Sequence, residues 1–177
     1  MFIDINTIGS DGLTFDRSLL LHGLEGPSRE SIPDVRAHLA GTVTPAPGGA
    51  ELAATLGATV PLTCSRCLET FAWEVRTDFE WTVLKTTPAP ATAPAGSDAD
   101  DDASILVAPE GKIALEELAT EQVYLNLPLK PICTPACRGL CPTCGTNRNV
   151  TACGCEAEVV DPRLAPLLPF RKKIQNS

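Results

Sequence analysis

The chain has 177 residues, a formal net charge of −8, 44% hydrophobic residues and only 5% aromatics. That is enough apolar material for one core with an appended module, and too acidic for a general nucleic-acid binder, because an acidic surface repels a phosphate backbone. No apolar run approaches the roughly 20 residues of a membrane span, and MFIDINTIGSDG carries neither the basic stretch nor the apolar stretch of a secretory signal. The expectation is a cytoplasmic protein with no membrane and no DNA partner, in a compartment that keeps thiols reduced.

Along the chain, Phe2, Ile3, Ile5 and Ile8 are read as a first strand, and DRSLLLHGL (16–24) as a short helix or a strand. Val35, Ala37, Leu39, Gly41 and Val43 then alternate with mostly polar residues. So do Leu52, Ala54, Leu56, Ala58, Val60 and Leu62, and again Phe71, Trp73, Val75, Thr77, Phe79, Trp81 and Val83. Period-two alternation predicts half-buried strands. PAPGG (45–49) separates the first pair and CSRC (64–67) the second. The reading is an antiparallel meander with a cysteine pair at one hairpin tip, occupying residues 1–85.

Residues 86–104, TTPAPATAPAGSDADDDAS, lack apolar periodicity and read as a disordered acidic, Pro/Ala-rich linker or loop. The third part, 105–177, opens with an amphipathic helix. Leu115, Leu118, Ala119, Gln122 and Val123 form one stripe, with Glu116, Glu117 and Glu121 on the other faces. Pro128 and Pro131 stop it. DPRLAPLLPFRKK (161–173) is at best a broken helix, given Pro166 and Pro169. The fold class is therefore α+β: a β meander, one helix and a C-terminal cysteine-rich module.

Charge is uneven. Residues 98–121 carry eight acids against Lys112 alone, whereas 122–177 carry three acids against seven bases. Lys130, Arg138, Arg148, Arg163, Arg171, Lys172 and Lys173 are those bases.

Eight cysteines dominate the chemistry. Cys133, Cys137, Cys141, Cys144, Cys153 and Cys155 lie within 23 residues, and Cys64 and Cys67 lie far upstream. Disulfides need an oxidising compartment. Redox catalysis favours a CxxC at a helix start, and CSRC lies between two strands. Metal binding fits best. In Cys141-Pro-Thr-Cys144-Gly145 the two-residue spacing turns both sulfurs to one ion, and the glycine permits a tight turn. Spacing groups Cys141, Cys144, Cys153 and Cys155 into one compact set. Cys133 and Cys137 are left to meet Cys64 and Cys67, which would pin the module to the hairpin tip. The expected cofactor is zinc, two ions. One ion held by Cys64, Cys67, Cys141 and Cys144, or an iron–sulfur cluster, stays open. Two Cys₄–zinc units would add about −4 to the net charge. Arg66, Lys130, Arg138 and Arg148 stand beside ligands, either to neutralise thiolates or to face RNA.

His22 and His38 lie far from the cysteines in sequence and read as exposed side chains. No HExxH, HxE with PCxxC, glycine-rich phosphate loop or GxSxG occurs. The reading is not an enzyme.

TCSRCLE in a hairpin, then EEL, LPLKPIC, GLCPTCG with its later cysteines, and finally DPRL resemble, in that order, the YceD family of large-ribosomal-subunit RNA accumulation proteins. The resemblance covers about residue 35 to the end. It implies a role in ribosome biogenesis and carries over no catalytic residue; together with the charge asymmetry it leads to a non-enzymatic assembly factor with large-subunit ribosomal RNA or a ribosomal protein as the expected partner. The alternative from another class is a thiol-based redox or metal-responsive protein using Cys64–Cys67 or Cys153–Cys155.

Overall fold

A computed structural model describes residues 1–27, 29–85 and 105–155. The linker expected at 86–104 and the segment 161–173 lie outside the described residues. The elements are β1 (Phe2–Asp4), a 3₁₀ turn (Ile5–Thr7), β2 (Leu13–Leu21), β3 (Val35–Ala46), β4 (Gly49–Thr63), β5 (Thr70–Leu84), β6 (Ile105–Val107), β7 (Lys112–Ala114) and α1 (Leu115–Leu125). Strands β2 to β6 form one sheet in chain order. Its first four strands are an antiparallel meander, and β6 joins β5 in parallel. A separate ribbon pairs β1 with β7. No described helix is long and apolar enough to cross a membrane.

Alternation sorts the sheet into two faces. Val35, Ala37, Leu39 and Val43 of β3, and Leu52, Leu56, Val60 and Leu62 of β4, are buried. Their neighbours Arg36, His38, Glu51 and Thr55 are exposed. On β5 only Val75 and Val83 are fully buried, and Phe71, Trp73, Phe79 and Trp81 pack partly buried against the same core. The DRSLLL part of DRSLLLHGL resolves as strand, and His22 to Leu24 lie beyond it: Leu13 to Leu21 pairs with Val43 to Val35 through nine positions. The buried Phe15, Leu19 and Leu21 hold it there, so tertiary pairing overrides a Leu run that local propensity left undecided. The first turn is tighter than PAPGG implies. Pro45 and Ala46 continue β3, and Ala46 pairs with Gly49. Only Pro47 and Gly48 turn, with Gly48 at φ 84°, a left-handed conformation that glycine adopts without penalty.

The helix buries the five stripe residues Leu115, Leu118, Ala119, Gln122 and Val123. Glu116 and Glu117 in its first turn face the positive end of its dipole. The Asn126 side chain closes it, donating to the Gln122 carbonyl at 2.8 Å.

By contacts the chain forms two compact units: Met1–Cys64 with Glu69–Cys133, and Ser65–Leu68 with Thr134–Ser177. The sequence reading grouped 105–177 together. In the structure α1 and β7 fall in the first unit, because Ile113, Leu115, Leu118, Ala119 and Val123 share one core cluster with the strands.

Candidate metal centre

The two CxxC segments close in the same way. Cys64 N–H donates to the Glu69 carbonyl at 2.9 Å, and Cys141 N–H donates to the Thr146 carbonyl at 2.8 Å. In each loop the residue after the second cysteine is left-handed: Leu68 at φ 62° and Gly145 at φ 74°. A Cβ added at Gly145 would meet nothing within 4 Å, so it is conformation alone that favours glycine there. Leu68 adopts the same conformation with a side chain, which costs a non-glycine residue about 1–2 kcal/mol. Accordingly, Gly145→Ala destabilises by about 1–2 kcal/mol, whereas Leu68→Gly is neutral or stabilising by about 1 kcal/mol. Urea midpoints of the two variants check this. Equal losses would show that the loops do not share a conformation.

Sequence-adjacent glycine and asparagine residues support the second unit. Gly139 has φ 69°, and a Cβ there would stand 2.9 Å from the Arg66 carbonyl oxygen. That oxygen accepts from Leu140 N–H at 2.9 Å. Arg66 Nη1 donates to the Cys137 carbonyl at 3.0 Å, so this guanidinium binds backbone beside a thiol. The Asn149 amide is more direct. Its Nδ2 donates to Cys137 Sγ at 3.3 Å and to Asn147 Oδ1 at 3.0 Å, and its Oδ1 accepts from Arg138 N–H at 2.7 Å. Amide donors to a thiolate fix its direction and stabilise its charge. Reasoning from cysteine spacing missed Asn147 and Asn149. The only cue was the polar TNRN that follows the CxxCG turn.

The eight thiols fall into two groups of four, divided as their spacing suggests. One is Cys64, Cys67, Cys133 and Cys137, and the other is Cys141, Cys144, Cys153 and Cys155. Within each, the four sulfurs all lie within 4.8 Å of one another. A tetrahedral zinc with Zn–S bonds of about 2.3 Å needs sulfurs about 3.8 Å apart, so both groups fit one such ion. In the first group Cys133 N–H donates to Cys64 Sγ at 3.4 Å, and Cys64, Cys67 and Cys137 are buried.

The electrostatics of the second group suit a cation. The Cys141 thiol is held down to about 6, first by the Cys144 N–H, then by the Thr143 N–H, with the Cys153 thiol adding to both. Cys144 is lowered chiefly by Thr146, whose hydroxyl lies 3.2 Å from its sulfur. Cys153 is raised by its neighbour Cys141, and Cys155 is pushed up to about 12, first by Cys144. The two lowered thiols favour the thiolate form and thereby favour the protonated form of the other two. A divalent cation relieves that conflict. The sign of the pH dependence follows. At pH 7 the raised Cys153 and Cys155 still hold protons, and loading zinc releases them. Those two protons alone make affinity fall by at least about 100-fold per pH unit on acidification near neutrality. It falls more steeply below about 6, where Cys141 also takes a proton. Zinc competition titrations at three pH values measure the slope, and a flat profile would contradict it.

His22 and His38 are exposed, as expected. Each faces a carboxylate: His22 meets Asp34 at 2.9 Å between β2 and β3, and His38 of β3 meets Asp16 of β2 at 2.8 Å. Neither joins a ligand group.

Among known proteins, the family described as large ribosomal RNA subunit accumulation protein YceD matches residues 52–171. The chain belongs to the YceD family. The matched span contains all eight cysteines, both CxxC loops and α1. An uncharacterized protein of Mycobacterium tuberculosis (strain ATCC 25618 / H37Rv) is 32% identical over 105 residues, 59% of this chain and 47% of its own length. The Mycobacterium bovis counterpart gives the same figures. The Arabidopsis thaliana large ribosomal RNA subunit accumulation protein YCED homolog 1, chloroplastic, is 35% identical over 68 residues, 38% of this chain and 21% of its own length. This YceD-family chain thus spans about half the length of the mycobacterial relatives it matches. No solved structure matches it.

Proposed function

We propose that this protein supports accumulation of large-subunit ribosomal RNA as a non-enzymatic assembly factor, with all eight cysteines holding two structural zinc ions. The observation that carries the reading is the coincidence of the family match over residues 52–171 with two four-sulfur sets inside it. A set closed by four thiolates leaves no open position for substrate, which is the character of a structural rather than a catalytic zinc site. The ion supplies a cross-link among loops that have almost no apolar core of their own. The chain's part is to present the thiols: two left-handed turns aim the CxxC pairs, and the Asn149 amide and the Cys133 N–H steady two of the sulfurs.

The surface so held makes the contacts. Residues 134–155 contain no acid, and Arg138 and Arg148 there are exposed, as is Arg66. They are the side chains through which the cysteine-rich unit meets large-subunit ribosomal RNA or a ribosomal protein. The test is complementation. In a host lacking its own gene of this family, the intact protein restores the ratio of large- to small-subunit ribosomal RNA. A Cys141→Ser/Cys67→Ser variant at equal abundance leaves it low. Full restoration by that variant would separate the metal sets from the function, and no restoration by the intact protein would remove the ribosomal role.

A further inference from the structure

A groove of about 900 Å³ runs between β2 and α1 within the first unit. Three features of it converge. First, β2 is the terminal strand of the sheet. Across its nine residues it pairs with β3 alone, and among the described residues no other backbone hydrogen bond reaches Thr14 to Leu21. A strand edge of that length is a ready template for another strand. Second, the groove is apolar where it is open. Leu20, Tyr124 and Leu125 line it with 45%, 41% and 69% of their surface exposed. Three large apolar side chains around one cleft mark a contact surface more than chance scatter does. Third, the α1 wall is acidic. Glu116, Glu117 and Glu121 line it, and no Lys or Arg does. Glu116 pairs with the Met1 amino group. Among the described residues Glu117 and Glu121 have no ion-pair partner.

We propose that this groove binds an extended, cationic segment of a partner protein, which adds a strand to the free edge of β2. Main-chain bonds to β2 hold the segment. Alternate apolar side chains enter against Leu20 and Leu125, and lysine or arginine side chains meet Glu117 and Glu121. Strand addition supplies the affinity and the carboxylates supply orientation and selection. RNA fits poorly, because its phosphates would face three glutamates. A second copy of this chain fits poorly too, since Arg17 is the only base on β2. The inference does not depend on the cysteine sets, which lie outside the groove lining.

The probe is a capped eight-residue peptide alternating lysine and valine, titrated into the isotope-labelled, metal-loaded full chain and followed by amide chemical shifts. The expected result is perturbation confined to Leu13–Leu21 and the exposed face of α1. Affinity falls at least ten-fold for Glu117→Lys/Glu121→Lys, and binding is lost when alternate peptide nitrogens are methylated. Glu117→Gln/Glu121→Gln, a milder change on the same exposed face, gives a smaller loss in the same direction. Any of four outcomes overturns the proposal: shifts centred elsewhere, unchanged affinity in both variants, equal binding of a glutamate–valine peptide, or displacement of the peptide by a single-stranded RNA oligomer at the same amides. Concentration-dependent shifts of β2 without peptide, together with a dimer mass, would assign the edge to a second copy instead. None of these outcomes touches the ribosomal RNA ratios that test the proposed function.

Discussion

Cys141→Ser removes one bound metal ion per chain and leaves the other, and Cys67→Ser does the same from the opposite set. This follows from the division of the thiols into two groups with no shared member. A tetrahedral site that loses one thiolate loses both a bond and a charge. The three remaining sulfurs, all within 4.8 Å, then hold the ion far more weakly. Structural zinc in a Cys-rich module binds with an apparent 10–16 kcal/mol, about the size of a domain's whole folding free energy. Loss of the ion from Cys141, Cys144, Cys153 and Cys155 therefore disorders their loops outright, and protease cuts between 138 and 155. Metal analysis by native mass spectrometry gives the stoichiometry. A Cys141→Ser protein that retains both ions, or loses both, would show that the two groups are not independent sites.

Leu56→Ala lowers the stability of the sheet unit by about 3 kcal/mol. Leu56 is 0% exposed on β4, the strand flanked on both sides by long partners. Its side chain belongs to the same buried cluster as Leu39, Val60 and the α1 stripe. Truncation leaves a cavity that neighbours anchored in two ladders cannot close. Against a typical total of 5–15 kcal/mol, that is a large fraction, visible as a shift in urea midpoint with the slope unchanged. Thr55→Ala, on the exposed face of the same strand, shifts it much less, although it loses a 2.6 Å bond to Asp78. A Leu56→Ala loss below about 1 kcal/mol would mean that the core is looser than its burial indicates.

The legible parts of the fold were those with a strict period. β3, β4 and β5 stood out because every second side chain is apolar, and α1 because five positions at helical spacing are the five that are buried. β2 was ambiguous because Leu19, Leu20 and Leu21 are consecutive, so neither period shows until pairing with β3 selects one. β6 and β7 span three residues each, too few for a periodic signal, and they exist through partners distant in sequence. The apolar run at Phe2, Ile3, Ile5 and Ile8 became a three-residue strand and a 3₁₀ turn, in which Asp4 accepts from Asn6 N–H at 2.9 Å. At the candidate site, spacing was enough to group the thiols. It was not enough to show that CSRC closes like CPTCG, because Leu68 occupies the position where the second loop has Gly145 and hides the left-handed turn. Nor did spacing reveal Asn149, whose role depends on a loop that returns to Cys137 twelve residues earlier.

As proposed, the eight thiols are scaffold ligands for two ions. Native mass spectrometry of the full chain, purified without chelator and exposed to an alkylating reagent before denaturation, tests it most directly. The expected result is two zinc ions per chain and eight unmodified cysteines, with all eight becoming reactive once a chelator strips the metal. A metal-free chain carrying disulfides, or one whose Cys64–Cys67 or Cys153–Cys155 pair is alkylated at rest, would contradict it and point to redox-active thiols instead.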